Sequence, residues 1–245
     1  MPPPDAAQQV AIRQVITSGL IDQVAKRMTR EEMGDMKGPS QFAYKTLVSK
    51  EPIYIHPSSF MTAQAPEYVA YHEILRSSTK GVHYMRGVTR IKPAWLYEFG
   101  PTLSALSQPL SSPPPRYDPQ AGDVKCFAKI TYGILNTWQL PMQLVSHPEG
   151  RARSKIFLQA LLDGQVFAAL RQFAGRLAVH PNAVQTSTNS KVIAMVDALV
   201  DAHADSKPGL LKRWAKEPDF LMGLYLDLLD KPAQKQLVKI WPPIK

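Results

Sequence analysis

Apolar residues recur at helical spacing near the start of the chain (Val10, Ile16, Leu20, Val24), which predicts a helix over 5–28. Asp5 and Gln8 have the form of a capping box set just after Pro2-Pro3-Pro4, and Gly19 is a weak point inside the helix. From Thr29 the pattern turns polar and ends in Lys37-Gly38-Pro39, which reads as a linker. Between 40 and 100 the apolar positions fall instead into short β-branched and aromatic runs. Residues 44–48 and 53–56, split by Glu51-Pro52, read as strands, as do 68–75 and 84–91. Residues 93–99 read as a short helix opened by Pro93. Residues 101–122, rich in Ser, Pro and Gly, predict a linker or extended surface segment, followed by a hairpin of strands 124–132 and 140–146. Helical patterns then cover 154–177, 191–204, 210–216, 219–229 and 233–241, with Gly164 interrupting the first and Pro208, Pro218 and Pro232 separating the last three.

These elements predict an α+β protein. A small β-barrel of the OB type is preceded by a helix and followed by a mostly helical C-terminal domain with a β-hairpin. The expected divisions are an N-terminal helix and linker over 1–38, the barrel over 39–110 and the C-terminal domain over 111–245. No internal repeat of fixed period is present.

Composition narrows the class. The 245 residues are 44% hydrophobic and 20% charged, enough apolar content for a packed core. No apolar run approaches the length of a membrane span, so the expectation is a protein without membrane contact. One cysteine, Cys126, excludes an internal disulfide and a cysteine zinc cluster. The net charge of +9 points to polyanionic partners. It concentrates at the C-terminal end, where 151–245 hold 14 basic and 8 acidic residues. The sharpest local feature is 74–97, with Arg76, Lys80, Arg86, Arg90 and Lys92 and no acid.

Catalytic signatures are missing: there is no phosphate-cradling loop, no H-E-x-x-H, no G-x-S-x-G and no i, i+4 histidine pair. Cys126 lies between Lys125 and Lys129, which could activate its thiol, but a small buried strand residue is the simpler reading. The strongest functional signal is the run from Ser77 to Arg86. Its hydroxyls and cations suit phosphates, and its flat rings suit bases. A solvated basic hairpin whose Tyr84 and Met85 pack the barrel fits the same residues.

Tyr54-Ile55-His56-Pro57-Ser58-Ser59, Glu67-Tyr68-Val69-Ala70-Tyr71-His72-Glu73-Ile74, Ser78-Thr79-Lys80, Tyr84-Met85-Arg86-Gly87-Val88-Thr89 and Pro93-Ala94-Trp95-Leu96 resemble, in order and spacing, the C-terminal OB-fold of DEAH-box RNA helicases. The flanks, including Trp138-Gln139-Leu140-Pro141, His147-Pro148-Glu149-Gly150 and Ile240-Trp241-Pro242-Pro243, are similar to the nucleolar subgroup that acts in small ribosomal subunit assembly.

The resemblance implies a non-catalytic RNA-binding and regulatory module, expected as a monomer in the nucleus and nucleolus. Its parent would be an ATP-driven enzyme that remodels pairing between small nucleolar RNA and pre-rRNA. ATP and magnesium belong to the parent's RecA-like lobes, so no cofactor is expected in this chain, which reads as a piece of a longer protein. Single-stranded RNA or pre-rRNA is the implied ligand, and ribosome-assembly proteins, including one that activates the helicase, are the implied partners. Carried onto this sequence, the RNA-facing group is Arg76, Thr79, Lys80, Tyr84 and Arg86. His56, Pro57 and Ser58 read as a tight turn, and Trp95 and Leu96 as core. The competing reading is a protein-interaction module that docks through the apolar faces of 154–177 or 219–229 and contacts no RNA.

Overall fold

The structure, a computed structural model, describes residues 2–35, 38–49, 51–78, 81–135 and 137–244. The chain forms two compact units, Met1–Ser107 with Lys129–Gln143, and Gln108–Ala128 with Leu144–Lys245. This differs from the expected divisions at 38 and 110, because the first sheet already begins before residue 39.

In the first unit α1 (Ala6–Gly19) opens on the predicted box: the Gln8 amide donates to Asp5 Oδ1 at 2.8 Å and the Asp5 amide to Gln8 Oε1 at 3.0 Å. The helix does not reach residue 28. Instead β1 (Val24–Arg27) follows, with Ala25 paired to Thr46 on one side and Val69 on the other, and Val24 and Ala25 fully buried. Val24 continues the i, i+4 series of Ile16 and Leu20, so periodicity favoured helix. Partners on both edges decide for strand. The expected linker holds one helical turn, α2 (Arg30–Met33), closed by a second capping box between Thr29 and Glu32.

Next come β2 (Tyr44–Thr46), β3 (Ile53–Ile55), α3 (Met61–Gln64), β4 (Tyr68–Ala70), β5 (Glu73–Arg76), β6 (His83–Arg86), β7 (Thr89–Arg90) and α4 (Pro93–Phe99). The strand order is β5-β6-β3-β2-β1-β4-β7, antiparallel except for the parallel β3–β6 pair. Only Tyr71 and His72 separate β4 from β5, yet the two pair towards opposite ends of this order. The sheet therefore closes on itself. Residues 68–76 form one bent strand that pairs with β1 through its first half and with β6 through its second. Residues 83–90 bend likewise between β6 and β7, so the strands expected over 68–75 and 84–91 are continuous but cornered.

The two corners face each other. The His72 amide donates to the Arg86 carbonyl at 3.0 Å. Gly87 has φ +63°, and a Cβ there would lie 2.7 Å from His72 Cβ, so only glycine fits. Inside the barrel, Ala25, Tyr44, Ile55, Val69 and Met85 pack in one cluster. The Tyr44 hydroxyl donates to the Pro66 carbonyl at 2.8 Å, and burial pushes its pKa up to about 12.

The segment expected as a linker carries β8 (Ser104–Leu106) and β9 (Arg116–Asp118), both ordered by pairing with β10 (Asp123–Tyr132). On the other side of β10 lies β11 (Trp138–Ser146), completing the predicted hairpin. Its first-unit end is tied down by Tyr132, whose hydroxyl donates to the Ile21 carbonyl at 2.6 Å, and by Trp138, whose ring sits 6.4 Å from those of Tyr132 and Tyr68.

The second unit contains α5 (Arg151–Leu162), 3₁₀ turns over Ala168–Arg176, α6 (Ser190–Asp201), α7 (Lys207–Trp214), α8 (Met222–Leu226) and α9 (Lys231–Ile240). The helix expected over 154–177 stops at Leu162. Gly164, at φ +73°, turns the chain back so closely that a Cβ would lie 2.5 Å from the Arg171 backbone. Phe157, Leu158, Leu161, Leu170, Phe173 and Trp214 fill the core. Beside it Arg153 bridges Asp123 and Asp205, each at 3.1 Å.

Candidate nucleic-acid interface

Register sorts the expected RNA-facing group. Across the β5–β6 hairpin Glu73 opposes Arg86, Ile74 opposes Met85, Leu75 opposes Tyr84 and Arg76 opposes His83. Side chains alternate faces along a strand, so Tyr84 and Arg86 share one face while Arg76 shares the other with the buried Met85. Arg76 therefore does not join Tyr84 and Arg86, contrary to expectation. Residues 76 and 84 differ by an even number, but the turn between the strands breaks that parity. Thr79 and Lys80, expected at the hairpin's end, lie outside the described residues.

On the outer face the rings converge. Tyr54 on β3 is the register partner of Tyr84, with ring centroids 6.4 Å apart. The His56 ring meets Tyr84 edge-on at 5.6 Å. His56 is held by the predicted turn: the Ser59 amide donates to its carbonyl at 2.9 Å, and the Ser58 amide to its Nδ1 at 3.2 Å. With Nδ1 accepting, the ring proton of neutral His56 sits on Nε2. Arg86 lies 3.8 Å from Glu73, an exposed ion pair that offsets part of its charge. Tyr54 is buried against Met28 and Ala43, and Tyr84 packs against that cluster, so the half-buried rings of Tyr84 and His56, beside the exposed Arg86 guanidinium, are what this face offers to a base and its phosphate.

A second cationic surface escaped the sequence reading. Arg90 and Lys92, read together with Arg76 and Arg86, belong to the β7 side of the sheet order. With Arg13 and Tyr68 they line a cleft of about 370 Å³. A neighbouring cleft of about 600 Å³ is lined by Lys26, Arg27, Arg30 and Phe42, and Glu67 borders both. The cations lie over rings: Lys26 over Tyr68 at 5.3 Å, Arg27 over Phe42 at 5.5 Å, and Arg13 and Lys92 over Trp95 at 5.6 and 5.7 Å. The available signal was Lys26-Arg27. It was masked in the charge count by Glu31, Glu32 and Asp35, yet Glu32 is taken up by Lys45, whose ammonium holds its carboxyl below the usual range. Trp95 and Leu96 are buried, as expected of core residues.

Cys126 is buried, and burial pushes its thiol pKa up despite Lys125, so it is a packing residue rather than an activated nucleophile.

The closed five-stranded barrel with its parallel β3–β6 pair is an OB-fold. Residues 12–103 match the model of the oligonucleotide/oligosaccharide-binding (OB)-fold, and residues 169–245 match that of the DEAH helicase DHX37 C-terminal domain. The chain is 34% identical over 247 residues to "Probable ATP-dependent RNA helicase DHX37" of Homo sapiens, covering 99% of this chain and 21% of that protein. It is 31% identical over 249 residues to "Probable ATP-dependent RNA helicase kurz" of Drosophila melanogaster, with coverage of 99% and 21%. Over 92 residues it is 36% identical to "Pre-mRNA-splicing factor ATP-dependent RNA helicase prp22" of Schizosaccharomyces pombe, covering 38% of this chain and 7% of that protein. The chain thus matches the C-terminal region of DEAH-box RNA helicases, and it spans about a fifth of the length of the first two relatives.

Proposed function

We propose that this region binds single-stranded RNA on the outer face of β3, β6 and β5, as a non-catalytic module of an ATP-dependent helicase. The observation that carries the reading is the convergence of Tyr84, Tyr54 and His56 beside Arg86. Bases stack on the Tyr84 ring, and Arg86 holds the adjoining phosphate. In the whole protein ATP and magnesium are handled outside this chain, and the strand threaded by the motor passes this face. The flanking motifs that resemble the small-subunit assembly subgroup extend the proposal to pre-rRNA as substrate, to the nucleolus as location and to an activating assembly protein as partner.

The test is fluorescence anisotropy of the full chain with a labelled single-stranded 20-mer RNA. Tyr84→Ala should cost about 1–3 kcal/mol of binding, the worth of one stacked base. Arg86→Ala should lower the salt slope by roughly 0.7. Unchanged affinity and slope in the double variant, with an unchanged thermal melt, would remove RNA from this face.

One observation favours a second reading, protein docking, though not where it was expected. The apolar faces of 154–177 and 219–229 are consumed by their own core, with Phe157, Leu161, Tyr225 and Leu228 fully buried. Exposed apolar side chains lie instead at Leu106 and Met142, which border a cleft of about 560 Å³ with Leu140 and Ile130.

A further inference from the structure

We infer that α9 is a second, independent RNA-phosphate contact, made by Lys231, Lys235 and Lys239. The three lysines recur at i, i+4 and i+8, are all exposed, and lie on one face of a ten-residue helix. The helical rise sets them in steps of about 6 Å along the axis. Among the described residues none of them has an acid within ion-pair distance.

Only Lys239, in the last turn, suits the helix macrodipole; the rest of the arrangement costs the helix stability. Like charges at i, i+4 repel, which destabilises a helix. Lys231 also stands at the helix N-terminus, where the macrodipole disfavours a cation. The adjacent Asp230 does not neutralise it, being fully engaged elsewhere. Its Oδ1 caps the Ala233 amide at 2.8 Å, and Arg176 grips both carboxylate oxygens, at 2.6 and 3.0 Å. That grip holds the Asp230 carboxyl below the usual range.

A row of unpaired ammonium groups at regular spacing fits a polyanion with regularly spaced charges. A protein partner would need an apolar seam on the same face. The helix's own seam, Ala233 and Leu237, is buried in the unit's core, leaving Val238 as the exposed apolar residue of α9. Trp241, just beyond α9, packs edge-on against Trp214 at 5.3 Å, which fixes the end of the helix on its own unit. The lysine contact lies outside the Tyr84 face and stands or falls separately from it.

The test uses the full chain with Lys231→Gln, Lys235→Gln and Lys239→Gln combined, and the same 20-mer RNA titrated at 50–300 mM KCl. The slope of log affinity against log salt should fall by about 2, three contacts at roughly 0.7 each. The melting temperature should hold or rise, because the repulsion is relieved. The double variant at Tyr84 and Arg86 should retain this lysine-dependent part of the slope. An unchanged slope in the triple variant overturns the α9 contact while leaving the Tyr84 face untouched. A slope that changes for an acidic peptide of equal charge, but not for RNA, also overturns it and assigns the stripe to a protein.

Discussion

Tyr84 is half-buried: part of its ring packs against Met28, Ala43 and Tyr54, and the rest stays exposed on the outer face. Met85 points into the barrel and His83 shares its face, so the outer surface of β6 is left to Tyr84 and Arg86. Glu73 competes for Arg86 at 3.8 Å. Glu73→Gln should therefore tighten RNA binding, by up to roughly fivefold for an exposed pair worth less than about 1 kcal/mol. Anisotropy at low salt reads this directly, and weaker binding would mean that Glu73 itself touches the RNA. Gly87 is set by backbone geometry alone. Gly87→Ala should destabilise the fold by about 1–3 kcal/mol, through its positive φ and the collision with His72, measurable by urea unfolding. Of the candidate site only Tyr84 and Arg86 were legible in the sequence, as two cation and ring positions on one predicted strand; Tyr54 and His56 join them only through the β3–β6 register and the turn at Pro57. The position of Arg76 was not legible. It depends on the hairpin register, which belongs to the turn and to Met85 seeking the core rather than to the spacing of cations.

At the level of elements, local signals held where they were self-contained. The Asp5–Gln8 box marks the true start of α1, and the turn at His56 follows from Pro57 and the Ser58 hydrogen bonds. Signals failed where a distant partner decides. Val24 satisfies helical spacing yet lies in a strand, and β8 and β9 sit in a Ser- and Pro-rich stretch that β10 organises. Likewise the pattern over 154–177 continued past Gly164, where the chain must fold back on Arg171. Because α5 spends its apolar side chains in the core of its own unit, Phe157→Ala should cost about 3–5 kcal/mol. A comparable loss from Tyr132→Phe is not expected. That change removes one hydrogen bond to Ile21 and should cost about 1–2 kcal/mol. Chemical denaturation of the two variants separates these magnitudes.

The whole molecule carries an excess of cations, and its few buried ions are arranged to survive only above the carboxylate range. Burial alone would raise the pKa of Asp123, but hydrogen bonds from Ser146 and Lys125 and the Arg153 charge outweigh it and hold the carboxyl below its usual range. A depressed folded pKa contributes stability that is complete above the unfolded value and is lost as pH falls through the folded one. Stability should therefore be level near neutrality and decline below about pH 4. Asp123→Asn should cost about 2 kcal/mol at pH 7, less than an orphaned buried charge because Asp205 still pairs with Arg153, and should flatten the acid decline.

We propose that RNA lies on two cationic surfaces of this chain, the β6 face and α9. Ultraviolet cross-linking of a 4-thiouridine-substituted single-stranded RNA to the full chain, with the joined peptides identified by mass spectrometry, tests it most directly. The predicted result is cross-links to the peptides containing Tyr84 and Lys231–Lys239 that fade as salt rises. Cross-links confined to peptides outside these two surfaces, or none above the level of an unrelated basic protein, would contradict it.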